Sequence, residues 1–147
     1  MNNDRMENKM KLSARNQLSG KVEAVQEGAV NAIVTLKTDD GTTISSTISL
    51  AAVKELGLAV GKEATAIFKA TEVLIGLGTM KISARNKIIG EVAAVEAGAV
   101  NGIVTLKADT GCTISSTISM AAIKELGLEP GVKATAVIKA TSVMIAV

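Results

Sequence analysis

Residues 10–25 read MKLSARNQLSGKVEAV and residues 80–95 read MKISARNKIIGEVAAV. The match runs on: residues 10–75 lie over residues 80–145 without a gap, and about two-thirds of the positions are identical. ISSTIS recurs at residues 44–49 and 114–119, and KELGL at residues 54–58 and 124–128. The chain is therefore a tandem duplication. The pattern divides it into units at residues 10–76 and 80–147, joined by the short linker 77–79, with a polar N-terminal tail over residues 1–9 that is expected to fray. A unit of about 65 residues buries only some 60% of its unfolded surface, so each copy needs a partner surface, and a linker this short keeps the copies adjacent.

Within a copy the local signals are mainly those of strands. In the second, residues 81–83 and 88–95 read as extended and residues 98–101 as a turn. Residues 102–107 form a β-branched strand, and Asp109, Thr110 and Gly111 a hairpin turn. Residues 113–118 alternate Ile with Ser and Thr as the returning strand, and residues 134–140 and 142–147 are expected to close the unit. One helix interrupts the strands: Ser119 suits its N-cap, Met120, Ile123 and Leu126 share a face, and Gly127 suits a left-handed stop. The fold class this gives is mainly β: tandem, duplicated, OB-like five-stranded barrels, each with one short helix.

Composition removes much chemistry. With no histidine there is no Ser-His-Asp or Cys-His system and no His-ligated metal; with one cysteine there is no intramolecular disulfide and no thiolate cluster. Cys112 aligns with Thr42 and reads as a tolerated small residue, and Met120 and Met144, aligned with Leu50 and Leu74, read as core filler. The first ten residues are polar where a signal peptide would be apolar, and no apolar run approaches the roughly 20 residues of a membrane span. A soluble, cytoplasmic protein without membrane attachment is expected. Sixteen basic against fourteen acidic residues are nearly balanced, so any recognition of an anion must be local.

Three duplicated features can meet an anion. The SARN segment places a Ser hydroxyl (Ser13, Ser83) and a guanidinium (Arg15, Arg85) beside backbone amides; its other reading is a polar turn. Lys69 and Lys139 end an apolar strand two residues before Thr71 and Thr141. Ser49 and Ser119 stand at the helix start, where N–H groups and the dipole favour negative charge, or serve as plain caps. Together these residue types suit a small oxyanion dianion: two fixed cations surrounded by uncharged donors. Both cations persist through neutrality, so uptake should be nearly flat between about pH 6 and 8.

SARNQLSGKV and SARNKIIGEV, TISSTIS, the KELGL helix and the closing VIKATSVMI, in that order and twice over, resemble the molbindin or Mop family of small cytoplasmic molybdate-binding proteins, whose unit is the Mop or TOBE domain. The resemblance implies storage and homeostasis of molybdate, with tungstate as a second cargo, by a homotrimer containing six Mop domains, with no cofactor and no catalytic residue. Sites between domains would use Ser13, Ala14, Arg15, Ser49, Lys69 and Thr71 from one copy and Ser83, Ala84, Arg85, Ser119, Lys139 and Thr141 from the other. The alanines would contribute through N–H, and no side chain would ligate the metal directly. Ala52 and Ala122, where related regulators carry a hydroxyl, would also have to use N–H. A second kind of site near a threefold axis would draw on Gly28, Val30 and Asn31, and on Gly98, Val100 and Asn101.

Two other functions compete. A sensing module would act on a separate transporter or regulator, since the chain holds no Walker A or helix-turn-helix stretch. A single-stranded nucleic-acid binder would need stacking aromatics, and Phe68 stands alone. No nucleic-acid partner is expected.

Overall fold

The computed structural model describes residues 11–147, so the expected tail lies outside the described residues. The first repeat runs β1 (Asn16–Glu27), β2 (Asn31–Thr38), β3 (Thr43–Ser49), α1 (Leu50–Leu56), β4 (Glu63–Phe68), a 3-10 turn η1 (Ala70–Glu72) and β5 (Leu74–Gly76). The second repeats it as β6 (Asn86–Glu96), β7 (Asn101–Ala108), β8 (Thr113–Ser119), α2 (Met120–Glu125), β9 (Lys133–Ile138), η2 (Ala140–Ser142) and β10 (Met144–Ala146). Residues 81–83, expected to be extended, lie outside the strands.

Alternation decides which face of each strand turns inward. Along β2, Ala32, Val34, Leu36 and Thr38 are buried while Ile33, Thr35 and Lys37 are not. β1 is long enough to pair with β4 through residues 16–21 and with β2 through residues 20–27, and a register shift between Val22 and Ala24 marks a bulge that bends it from one partner to the other. The bend brings backbones close at Gly20 and Gly90, where an added Cβ would collide with the Lys37 and Lys107 carbonyls. Each helix begins as its sequence dictates: the Ser49 and Ser119 hydroxyls accept from the Ala52 and Ala122 amides at 3.0 Å. Gly57 and Gly127 then take φ of 64° and 62° where the chain turns away.

Both sheets have five strands, but neither repeat supplies all of its own. The orders are β10-β4-β1-β2-β3 and β5-β9-β6-β7-β8: the last strand of each repeat is hydrogen-bonded into the other's sheet. Met144 lies opposite Ile67, and Leu74 opposite Val137. The expectation that residues 142–147 close their own unit is therefore corrected. The sequences of β5 and β10 are nearly the same, so alternation fixes which face is inward and leaves the partner open. Met144 is corrected as well: it lies 49% exposed on the outer face of its strand, whereas Met120 does pack against the core.

The exchange is locked by polar contacts between repeats. Asn86 donates from Nδ2 to the Ser45 carbonyl and accepts at Oδ1 from the Ser45 amide, both at 2.8 Å; Asn16 does the same with Ser115 at 2.9 and 2.8 Å. The buried hydroxyls of Ser46 and Ser116 donate to the carbonyls of Val143 and Val73, each at 2.5 Å, immediately before the exchanged strands. Around these contacts one apolar cluster runs through both repeats, with Leu36, Ile44 and Phe68 from the first and Leu106, Ile114 and Ile138 from the second. Asn86→Ala leaves the Ser45 peptide groups without these partners and should lower stability in urea unfolding by about 1–3 kcal/mol, against less than about 0.5 kcal/mol for the exposed Glu23→Ala.

Candidate functional site

The ladder between β1 and β4 ends at the pair Asn16↔Phe68, and the next residues outward on the two segments are Arg15 and Lys69. In the second repeat the ladder ends at Asn86↔Ile138, and Arg85 and Lys139 follow. Antiparallel register thus gathers a guanidinium and an ammonium, 54 positions apart in sequence, at one end of each sheet. All four cations are exposed, as are Ser13, Ser83, Thr71 and Thr141; Ala14 and Ala84 are half-buried. Neither SARN nor KAT contains a carboxylate. The Ala14 carbonyl accepts from Gln17 Nε2 at 3.3 Å, which ties the first SARN segment to its own strand.

Ser49 and Ser119 stand elsewhere. Ser49 pairs with Asn31, and the Leu50 amide donates to the Val30 carbonyl at 2.8 Å; Ser119 and Met120 repeat this with Asn101 and Val100. The helix starts therefore sit beside the turns holding Gly28, Val30, Asn31, Gly98, Val100 and Asn101, not at the cation pair of their own repeat. Across the repeats β3 is bonded through Ser45 to Asn86 and through Ser46 to Val143; Ser49 lies three residues beyond Ser46, about 10 Å along an extended strand. Within one chain, then, SARN meets KAT and the helix start meets the turn. Three expected backbone donors are spent: the Ala52 and Ala122 N–H groups donate to the serines that cap their helices, and the Gly28 amide donates to the Asn31 carbonyl at 2.8 Å.

The asparagines of SARN escaped the sequence reading. Asn16 and Asn86 are 2% and 3% exposed and act as cross-repeat fasteners, so the motif is half surface site and half structural joint. A signal for this existed: each stands in phase with the inward residues that follow it, Leu18 and Gly20, Ile88 and Gly90.

The hairpin turns of the two repeats also meet. Thr42 Oγ1 lies 2.5 Å from Thr110 Oγ1 and 3.4 Å from Cys112 Sγ. Burial pushes the Cys112 thiol up from its ordinary value, as expected of a packing residue rather than a nucleophile. Partial burial opposes ionisation of Asp40, but hydrogen bonds from the Thr38 hydroxyl and the Thr42 amide outweigh it and hold the carboxyl below its usual range. Among the described residues no group of three or more Cys, Asp or Glu side chains is placed to hold a metal ion, and no helix is long and apolar enough to cross a membrane.

A pair of exposed cations flanked by hydroxyls, with no carboxylate or nucleophile in the set, defines a protein equipped to hold an oxyanion. Its family follows from comparison: the TOBE domain matches residues 12–75 and 82–145, and the chain belongs to the TOBE-domain family. A crystal structure of the cytoplasmic molybdate-binding protein ModG, with molybdate bound, superposes with a TM-score of 0.91 at 44% identity, covering 94% of this chain and 99% of that one. The molybdenum transport protein ModE of Azotobacter vinelandii is 38% identical over 139 residues, 94% of this chain, which spans about half (52%) of that protein's length. A probable molybdenum-pterin-binding protein of Haemophilus influenzae is 62% identical over 68 residues, 46% of this chain and 99% of its own, so it has the length of one repeat. The tandem OB-like fold and the twofold domain count stand as expected.

Because the thiol is half-buried and its ionisation suppressed, Cys112 should react with iodoacetamide at pH 7.5 at least about tenfold more slowly than free cysteine, and reach full labelling only in denaturant. Asp40, whose folded pKa is depressed, contributes stability above its unfolded value near 4 and loses it as pH falls through the lower folded value. Asp40→Asn should therefore reduce stability at pH 7 and flatten the acid limb of the stability profile below about pH 4.

Proposed function

We propose that this protein binds molybdate in the cytoplasm as a store or buffer, without catalysing a reaction, and that tungstate is a second cargo. The observation that carries the reading is the pairing of Arg15 with Lys69 and of Arg85 with Lys139 at exposed sheet ends, each beside Ser and Thr hydroxyls. ModG, alike over nearly its whole length and solved with molybdate, supports the identity of the anion.

The anion sites lie between neighbouring chains. A dianion leaves water only where it is neutralised and hydrogen-bonded all round, and one sheet end offers donors on one side only. The helix-start hydroxyls Ser49 and Ser119, distant from the cation pair of their own repeat, would supply the other side from an adjacent chain. Exposed apolar residues recur at matched positions, as interfaces between copies require: Leu12 and Ile82 at 53% and 42%, Leu74 and Met144 at 54% and 49%, Val30 and Val100 at 73% and 75%. A homotrimer presenting six TOBE units satisfies both needs, and its turns around Val30 and Val100 would line a second kind of site. The units 10–76 and 80–147 remain our division of the chain for this assembly.

Isothermal titration with molybdate, tungstate, sulfate and phosphate should show tight uptake of the first two, at several anions per trimer, unchanged between about pH 6 and 8. Heat from sulfate or phosphate alone would contradict the reading. Arg85→Ala with Lys139→Ala should remove the second repeat's share of the anion with the fold intact by circular dichroism. Native mass spectrometry checks the trimer, and a persistent monomer would overturn it.

A further inference from the structure

The duplication is not symmetric in charge around its two cation pairs. Two positions after each SARN arginine, at the second residue of the strand, the first repeat carries Gln17 and the second Lys87. Gln17 lines a cavity of about 210 Å³ with Leu18, Ser19, Thr38, Asp39, Asp40 and Cys112, so both carboxylates of the first hairpin turn border the strand that follows SARN. Asp40 is held ionised by its hydrogen bonds from Thr38 and Thr42. In the second repeat the equivalent turn carries one carboxylate, Asp109, whose amide donates to the Ile89 carbonyl at 2.9 Å, with Thr110 in place of Asp40. Around the start of the strand the first repeat therefore sets two carboxylates, of which Asp40 also lies against Gly111 of the second repeat's turn. The second sets one carboxylate and one ammonium.

The charge differences that fall on residues paired across the two ladders cancel. Lys21 lies opposite Glu63 in the first repeat and Glu91 opposite Lys133 in the second, so each pair cancels locally. Glu72, where the second repeat has Ser142, is three residues from Lys69 and two positions beyond the pair Leu74↔Val137 on the side toward Lys139, so its charge borders both cation pairs.

We infer that the two repeats are unequal anion binders, with the site built on Arg85, Lys87 and Lys139 filling before the site built on Arg15 and Lys69. The inference rests on the oxyanion reading above. A unit charge about 8 Å from a dianion at a wet surface changes affinity about two- to fivefold at moderate ionic strength, so Lys87 alone separates the classes by about that factor. The order is set by long-range charge and should fade as salt rises.

Titration of the intact protein with molybdate at low ionic strength should resolve two classes, with Arg85→Ala removing the tighter and Arg15→Ala the weaker. Lys87→Gln should weaken the tighter class about two- to fivefold, and Gln17→Lys should strengthen the weaker one by a similar factor. Lys87→Gln and Gln17→Lys each install the residue the other repeat already has, so the fold is preserved. A single class of sites unmoved by Lys87→Gln, or a tighter class lost with Arg15→Ala, would overturn the inequality while leaving molybdate binding in place. No uptake by any form would instead overturn the oxyanion reading itself.

Discussion

Two carboxamides make one molecule of two repeats. Asn16 and Asn86 each present a donor and an acceptor to the backbone C=O and N–H of a single residue in the opposite repeat, as a neighbouring strand would. Because they are almost fully buried, leaving those groups unpaired would cost more than the bonds contribute net. The exchanged strands β5 and β10 are only three residues long, too short to select a sheet by backbone pairing alone, and the serine hydroxyls on Val73 and Val143 hold the chain where each crosses. Everything at the surface of the sheet ends inherits its position from this joint.

The consequence for the candidate site is direct. Asn16 is the residue after Arg15, and Asn86 the residue after Arg85. A fastener in the core therefore orients a guanidinium at the surface one position away, while the β1·β4 and β6·β9 registers deliver the lysines alongside. Fixing the cations before the anion arrives reduces the ordering cost of binding, which otherwise falls on long flexible side chains. A separate single repeat would have neither its fifth strand nor its fasteners, unless a second copy supplied them.

Much of this was legible in the residues. The offset of seventy gave the duplication, alternation in TISSTIS gave an inward and an outward face, and Ser119 with Gly127 bracketed the helix. What periodicity could not supply was partnership. VLI and VMI have the same pattern in either sheet, so strand exchange was invisible, and Met144 was assigned to a core that its edge strand does not face. The site was half legible for a related reason: Arg and Lys could be recognised as anion donors, but their meeting depends on register between β1 and β4, which no local signal encodes. Asn16 and Asn86 were passed over because a motif read as one functional unit conceals that its last residue turns inward.

Duplication also explains why the repeats can diverge where they do. Core positions are held by packing against the other repeat, and most changes there stay apolar, as with Leu50 and Met120, Val53 and Ile123 or Phe68 and Ile138. The position of Gln17 and Lys87 lies toward the surface, where a change of charge costs little stability and would act on an anion through water over several ångströms. A single repeat that pairs with a second copy of itself must carry the same residue in both halves of the joint. A fused pair escapes that constraint, because each half can be altered alone. The tandem arrangement thereby converts a symmetric binder into one whose two sites can be tuned apart without disturbing the shared core that holds them.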